Sequence, residues 1–501
     1  MGYLFGGIEV VKNNFEKHTE DDYVDYYYER NIPEMLSREG PKAAVGDVNG
    51  DGLDDIYIGG TKDHVGQLYV QKNGSFIKQP EPEFERFPDF EDEAVLFFDA
   101  DKDGDLDLLV CPGGNDNPPY SREMQNRLFK NDGKGNFTID AGAFSSNGMN
   151  TGVAIAYDFD HDGDLDLFVG GRSEPRNYGG NPESFIYVND GSGHFKDIAK
   201  TKNPDIANIG MVTGAVWADV ADNSEKELVI CGEWMSPKIF SYNGNHFVEV
   251  KTSLQNLNGL WKTVVAADVN GDGRTDLVFG NIGENFYLQP DEENPVKLWL
   301  NDFNQNGNTD KILTRMVDGR DVPVVLKHDM QDEIPAIKKQ NLQHAEYAKK
   351  SIQELFSPDL VNKSLVKTFN YCSSVVAINN GNGKFSVQKL PVCAQLSNVN
   401  SICVKDINED GFPDLIIGGN EDNFPPQFGR LDASFGDVLI NTGKGNFIRL
   451  NPKHSGIKVK GMVKDICELK GADKNYILFL RNNDFPALYQ VNNFLQNKLN
   501  Q

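Results

Sequence analysis

Residues 43–60 read AAVGDVNGDGLDDIYIGG. An apolar run enters an aspartate-rich nonapeptide, a second apolar run leaves it, and glycines end the phrase. The phrase returns as LFFDADKDGDLDLLVCPGG at 96–114, IAYDFDHDGDLDLFVGGR at 155–172, VAADVNGDGRTDLVFGN at 265–281 and CVKDINEDGFPDLIIGGN at 403–420. A worn copy, VWADVADNSEKELVICGEW, runs over 216–234. Recurrence of this kind marks a chain built from repeated supersecondary units, so it governs the rest of the reading.

A second phrase follows several copies of the first: RLFKNDGKGNF at 127–137, FIYVNDGSGHF at 185–195, VVAINNGNGKF at 375–385 and DVLINTGKGNF at 437–447. Each is a strand, a tight Asn/Gly turn and a second strand opened by Phe, the pattern of a β-hairpin. One repeat therefore supplies four short antiparallel strands, two around the acidic loop and two around the glycine-rich turn. Four strands recurring at this spacing predict the blade of a β-propeller.

The first Asp of each acidic loop falls at 47, 99, 158, 219, 268 and 406, and Asp465 stands in an eroded last copy. The long gap after Asp268 is expected to hold a further blade, with a related loop at Asp302 in LWLNDFNQNGNTDKIL. That loop comes early for a full four-stranded repeat. The expectation is one all-β propeller over residues 1–501 with about seven four-stranded blades, eight being the alternative. The N-terminal strand, Tyr3 to Val11, is expected to complete the last blade. Between Asp329 and Phe356, apolar Ala345, Ala348, Ile352 and Leu355/Phe356 recur at helical spacing among lysines. This predicts an amphipathic helical insertion, 329–356, on the outside of a blade.

In a loop of form D-x-[D/N]-x-[D/N]-G-x-x-D, side chains at positions 1, 3, 5 and 9 can converge on one point. The position-7 carbonyl adds an oxygen, and the position-6 glycine allows the sharp turn. Hard oxygen donors in this number suit Ca²⁺, and no His or Cys is present for zinc. Five loops satisfy the rule: Asp47/Asn49/Asp51/Asp55, Asp99/Asp101/Asp103/Asp107, Asp158/Asp160/Asp162/Asp166, Asp268/Asn270/Asp272/Asp276 and Asp406/Asn408/Asp410/Asp414. About five calcium sites are expected. The loop Asp302/Asn304/Asn306/Asp310 keeps the shape with two charges, which predicts a weak site or a hydrogen-bonded turn. In the copy at Asp219, Ala221 and Ser224 replace a ligand and the glycine, so no cation is expected there. An EF-hand would need Glu at position 12 and flanking helices. Here position 12 is an apolar strand residue such as Ile58, Val110 or Val169 within the phrase.

The formal charge of −26, from 75 acidic and 49 basic residues, disfavours nucleic acid and anionic membranes as partners. No apolar run approaches the roughly 20 residues that span a bilayer. The start, MGYLFGGIEVVKNNFEKHTEDD, lacks a basic segment followed by a long apolar one. The six cysteines show no CxxC spacing; Cys372 and Cys393 could pair, though nothing in the spacing demands it. There is no G-x-S-x-G, H-E-x-x-H or phosphate loop, which argues for binding over catalysis.

These repeats resemble the FG-GAP/VCBS family of calcium-loop propellers, which includes the integrin α-subunit head. IPEMLSREGPKAAVGDVNGDGLDDIYIGG, CGEWMSP and FGNIGEN are similar to stretches of large bacterial exported proteins that join such repeats to an ASPIC/UnbV module. The resemblance implies export, surface display and a place in a larger multidomain chain. It does not imply one activity, since the fold serves adhesion, scaffolding and some lyases. The expectation is a binding, adhesion or scaffold module for a protein or carbohydrate ligand, with a calcium-dependent polysaccharide lyase or a purely structural spacer as alternatives.

If each acidic loop joins the first two strands of a blade, all of them share one face of the disc. The second strand then ends on the opposite face in Gly-Gly or Gly-polar pairs. There Asn115, Arg172, Glu233, Trp234, Asn281 and Asn420 would ring the channel mouth, an aromatic platform beside amides and a charge pair. The alternative is that Trp234 packs between blades and Arg172–Glu233 is an inter-blade ion pair. Arg430, in EDNFPPQFGRLDASFGD, is expected to reach the same face.

Overall fold

The computed structural model of the protein describes residues 5–7, 14–145 and 147–491. Eight antiparallel sheets account for nearly all the strands, and each carries a path of four hydrogen-bonded strands. Seven of them form the ring. Their innermost strands, Ala43–Gly46, Asp92–Phe98, Asn150–Tyr157, Met211–Ala218, Thr263–Ala267, Val399–Lys405 and Val463–Lys470, pack side by side, and the last meets the first. The protein is thus a seven-bladed propeller. The ring is sealed by Phe5–Gly7, which pairs with Ala487–Val491 as the fourth strand of the last blade. The remainder of the expected Tyr3–Val11 strand lies outside the described residues.

The eighth sheet is not a blade of the ring. It occupies residues 296–369, between the second strand of the fifth blade (Asp276–Gly280) and its third (Val375–Asn379), which nevertheless pair directly. The gap after Asp268 therefore holds the outer half of one blade and an inserted sheet. Strand order in the insertion is Arg320–Pro323, Asp310–Val317, Val296–Asn301, Leu365–Phe369. Five short helices run from Lys327 to Lys363 between its outer strands. The helical spacing read from the sequence differs in detail. Ala345 and Ala348 are exposed, while Tyr347, Ile352 and Leu355 face inward with Ile334 and Ile337. The short segments turn by separate capping boxes at Ser351 and Gln343, so no single helical face runs through them.

The hydrophobic core is distributed between neighbouring blades rather than gathered at a centre. One buried apolar cluster lies at each of the seven blade junctions. The alternating inward and outward residues of every strand feed the two junctions on either side of its sheet. All six cysteines are free thiols, so Cys372 and Cys393 do not pair.

The hairpin asparagines lock these junctions. Asn131, Asn189, Asn379 and Asn441 end the third strands of blades two, three, five and six. Each side-chain Nδ2 donates to a carbonyl in the preceding blade's acidic loop: Val48 (2.8 Å), Ala100 (2.8 Å), Val220 (3.0 Å) and Val269 (2.8 Å). Gln71 does the same in the first blade, reaching Lys470 of the seventh at 2.9 Å. The Asn of the hairpin phrase is therefore an inter-blade clamp as well as a turn former. Replacing Asn189 by Ala strands the carbonyls of Ala100 and Leu165, the latter bonded at 3.1 Å. The expected loss is about 1–3 kcal/mol for each carbonyl left buried and unpaired. In the same hairpin the exposed Lys196→Ala should stay within about 0.5 kcal/mol by denaturant titration.

Candidate functional site: the acidic loops and the opposite face

Each complete acidic loop joins the first two strands of its blade, so all five lie on one face of the disc, as do the glycine-rich hairpin turns. The position-6 glycines Gly52, Gly104, Gly163, Gly273 and Gly411 all have φ between +84° and +92°. At Gly52, Gly104, Gly273 and Gly411 an added Cβ would meet nothing within 4 Å, so glycine is needed there for its backbone and not for room.

The position-9 carboxylate is the buried centre of each loop. Asp55, Asp107, Asp166, Asp276 and Asp414 are all 0% exposed. One oxygen accepts the N–H of the hairpin clamp residue, at 2.8 Å from Gln71, 2.9 Å from Asn131, 3.0 Å from Asn189 and 2.7 Å from both Asn379 and Asn441. In four loops the other oxygen accepts the position-2 N–H, from Val48, Ala100, Val269 and Ile407. In the third loop the corresponding oxygen, Asp166 Oδ2, is buried without a partner. Burial is the main force pushing these carboxyls up, to about 6, and to about 7 at Asp166. The neighbouring loop carboxylates add to the rise against the pull of the backbone donors.

In the second and third loops three carboxylates converge. Oxygens of Asp99, Asp101 and Asp107, and of Asp158, Asp160 and Asp166, lie within 4.8 Å of one another. Asp101 Oδ1 and Asp158 Oδ1 are also buried without hydrogen-bond partners. Oxygens bound to one calcium at 2.3–2.6 Å stand at most about 5 Å apart, so this donor set fits that ion. In every complete loop the first Asp also accepts backbone N–H groups: Asp47 from Gly50 (2.8 Å), Asp51 (3.1 Å) and Gly52 (2.7 Å), Asp268 likewise, Asp99 from Lys102 (2.8 Å) and Gly104 (3.1 Å), and Asp158 from Gly163 (3.1 Å). Asp406 takes the N–H groups of Asp410 and Gly411. In the three Asn-bearing loops the position-3 amides also turn inward: Asn49 reaches Asp55, Asn270 reaches Asp272, and Asn408 reaches Asp410. Asp51 in the first of these loops also accepts the N–H of Leu53. In the second and third loops Asp103 and Asp162 accept the position-7 N–H of Asp105 and Asp164.

The two departures from the pattern close themselves by hydrogen bonds. In the copy at Asp219, the longer Glu227 reaches the N–H groups of Val220 (2.9 Å) and Ala221 (3.1 Å) and accepts from Asn223 (3.2 Å). In the insertion, Asn304 donates to Asp310 (2.9 Å) and to the Glu333 carbonyl (3.0 Å), tying the loop to the helices, while Asp302 accepts from Asn306 and Gly307.

On the opposite face, the six residues expected to ring an open channel mouth are all buried. Residues 14–42, which carry no repeat phrase, form a strap that crosses this face and brings the acids that cover them. Asn115 donates to Asp25 and Glu29 of the strap. Arg172 pairs with Glu233 at 2.9 Å and with Glu39 at 2.9 Å, and Lys262 pairs with Glu233 at 2.6 Å and Glu34 at 3.2 Å. The Arg172–Glu233 contact joins the third and fourth blades, the inter-blade alternative. Burial pushes Glu233 upward, but Arg172 and Lys262 overcome it and hold the carboxyl at about 2. Burial, then the Glu233 carboxylate, drive Glu34 well above the ordinary range. Trp234 is 3% exposed; its Nε1–H donates to Tyr178 Oη at 2.9 Å and its ring meets Phe369 of the insertion edge to face at 6.1 Å. Asn281 donates to the Tyr371 carbonyl, and Asn420 to the carbonyls of Ser434 and Gly461. These are structural side chains that hold loops to blades. Below them the channel narrows to a cavity of ≈ 160 Å³ lined by Lys42, Glu93, Lys262 and Asp465 among others.

A seven-bladed propeller with acidic loops between its first two strands is the class that fold and site define. Comparison with family models agrees: residues 47–110 and 117–169 match the FG-GAP-like repeat, and residues 260–294 match the FG-GAP repeat. The chain thus carries FG-GAP repeats within its propeller, over residues 47–110, 117–169 and 260–294. The matched segments are the repeats themselves and do not extend to an ASPIC/UnbV module. No curated protein matches the sequence. Similar solved structures include the V. cholerae biofilm matrix protein Bap1, at 10% identity over 92% of this chain and 89% of that one, with a TM-score of 0.38. They also include YCF48 from Cyanidioschyzon merolae, at 9% identity over 92% and 98%, TM-score 0.42. YCF48 bound to D1 peptide matches at 8% identity over 95% and 98%, TM-score 0.42.

Two outcomes follow from this geometry. Trp234→Ala should cost about 3–5 kcal/mol in stability, since it empties a packed site under the insertion and removes a buried hydrogen bond. In chelated protein the position-9 carboxyls hold their protons to about pH 6 when folded, against about pH 4 when unfolded. The raised value gives a proton-linked stabilisation that is complete below the unfolded pKa and is lost as pH rises through about 6. Asn substitution of these five aspartates should flatten the corresponding rise in melting temperature between about pH 7.5 and 5.5.

Proposed function

We propose that the protein is a calcium-loaded propeller that works outside the cell as a binding or adhesion module for a glycan or protein ligand. The observation that carries the calcium reading is the convergence of three carboxylates in the second and third loops, with Asp101 Oδ1, Asp158 Oδ1 and Asp166 Oδ2 buried and unpartnered. Buried charged oxygens without partners are costly, and a divalent ion removes that cost at these two loops. The ligands would be the side chains at positions 1, 3, 5 and 9 of the five complete loops, from Asp47 to Asp414, with the position-7 carbonyls. The ion's role is structural: it neutralises the loop and fixes the clamp that runs from each position-9 carboxylate to the preceding blade. Five ions would bring the formal charge from −26 to about −16. With the ions enclosed on one face, ligand binding falls to the other, where the strap, the insertion and the long loop of the sixth blade build cavities.

Calcium titration of chelated protein, read by calorimetry and melting temperature, tests this reading. About five ions should bind, the second and third loops most tightly, and reloading should raise the melting temperature by several degrees or more. Asp101→Asn with Asp160→Asn should weaken the two tightest sites and leave the others. No binding and no thermal shift would make the loops plain Asx turns.

A further inference from the structure

Between the sixth and seventh blades, on the face opposite the acidic loops, lies a cavity of ≈ 540 Å³. That size falls within the range of small-ligand pockets, about 300–1,000 Å³. Its walls are the long loop of the sixth blade (420–435), the approach to the seventh (460–462), the turn at 482–484, and Arg38 of the strap. Around it the buried cations are paired: Arg172 with Glu39 and Glu233, and Lys464 with Glu421 at 2.9 Å. At the rim Arg430 pairs with Asp432 and Arg481 with Asp484.

Arg38 and the exposed Lys460 are the lining cations without such a partner among the described residues, and Arg38 is the less exposed of the two. Its Nε is buried without a partner, and no hydrogen bond or ion pair among the described residues ends on its guanidinium. Glu20 feels this charge but is bonded to Asn482 at 2.5 Å. The half-buried guanidinium holds no carboxylate of its own, and its planar fork suits one held by two parallel bonds. Phe435, 39% exposed, offers an aromatic face on the same cavity. Ser434 and Asn483 supply a hydroxyl and an amide beside it.

We propose that this cavity binds a uronic-acid residue of a polysaccharide, its carboxylate on Arg38 and the apolar face of its ring against Phe435. The ring hydroxyls are met by Asn483 and Ser434. An acidic peptide would satisfy Arg38 but leave the aromatic face without a ring to stack on it. The inference rests on the binding-module reading and names its ligand class and site.

The test is calorimetric titration of the full chain in calcium with three probes: an oligoglucuronate, the same oligomer with its carboxyls reduced to alcohols, and a Glu-rich peptide. The oligoglucuronate should bind saturably, and the reduced oligomer and the peptide at least tenfold more weakly. Arg38→Gln should cost at least tenfold in affinity. Phe435→Ala should cost several-fold with the melting temperature unchanged, which keeps the test decisive if Arg38→Gln disturbs the strap. Wild-type affinity in both variants, equal binding of the reduced oligomer, preference for the peptide, or no oligoglucuronate binding would each overturn the proposal. Another glycan or protein that binds irrespective of Arg38→Gln would remove this site and leave the binding-module reading standing. Oligoglucuronate binding that survives chelation would keep this site while the calcium reading is judged separately.

Discussion

Everything in this molecule hangs from a buried aspartate at the ninth position of each acidic loop. Its carboxylate takes the N–H of a clamp residue on the third strand, and the clamp's side chain then grips a carbonyl of the neighbouring blade. One side chain thus couples the loop to its own sheet and, one bond further, to the next sheet around the ring. A carboxylate with no exposed surface is an expensive hub. It persists because backbone donors reach it in every copy.

The two loops that depart from the pattern show what the hub requires. Glu227, one methylene longer than Asp, reaches two backbone N–H groups and an Asn by itself. Asn379 of the following blade still clamps onto Val220 of this loop. The inter-blade bond therefore does not depend on the full acidic set, only on a buried acceptor that holds the loop's shape. In the insertion the same loop form points its Asn to a helix carbonyl, and the fold reuses the turn to anchor an added subdomain.

The other face is governed by charge as well, in a different way. The strap brings Glu29, Glu34 and Glu39 over Arg172 and Lys262 of the ring and Lys311 of the insertion, and Asp25 onto Asn115. Buried pairs of this kind contribute little net stability against an apolar alternative, but removing one partner leaves an unpaired charge in a dry place. They fix where the strap lies. Because the strap lies there, the mouth of the channel is closed and its neighbouring clefts, between strap, insertion and long loop, remain.

The repeat, the ring and the acidic loops were legible in the sequence because each rests on local spacing: alternation for strands, Asn/Gly turns for hairpins, and Asp at fixed intervals around a glycine. The same spacing led to about seven blades, with eight left open. What local spacing could not carry was the partner of each polar residue. Arg172, Glu233 and Trp234 have the composition of a ligand rim, and their burial depends on residues 14–42 and 365–369, distant in sequence. The eighth sheet likewise carries the blade's own signals, and only the direct pairing of Asp276–Gly280 with Val375–Asn379 places it outside the ring. The clamp asparagines were visible as turn residues, yet their side-chain amides act across a junction between separate sheets. The sequence by itself determined the unit, since it follows from backbone periodicity, and left its number at seven or eight. The tertiary structure alone decided which polar side chains face solvent, since that depends on which distant segment comes to lie over them.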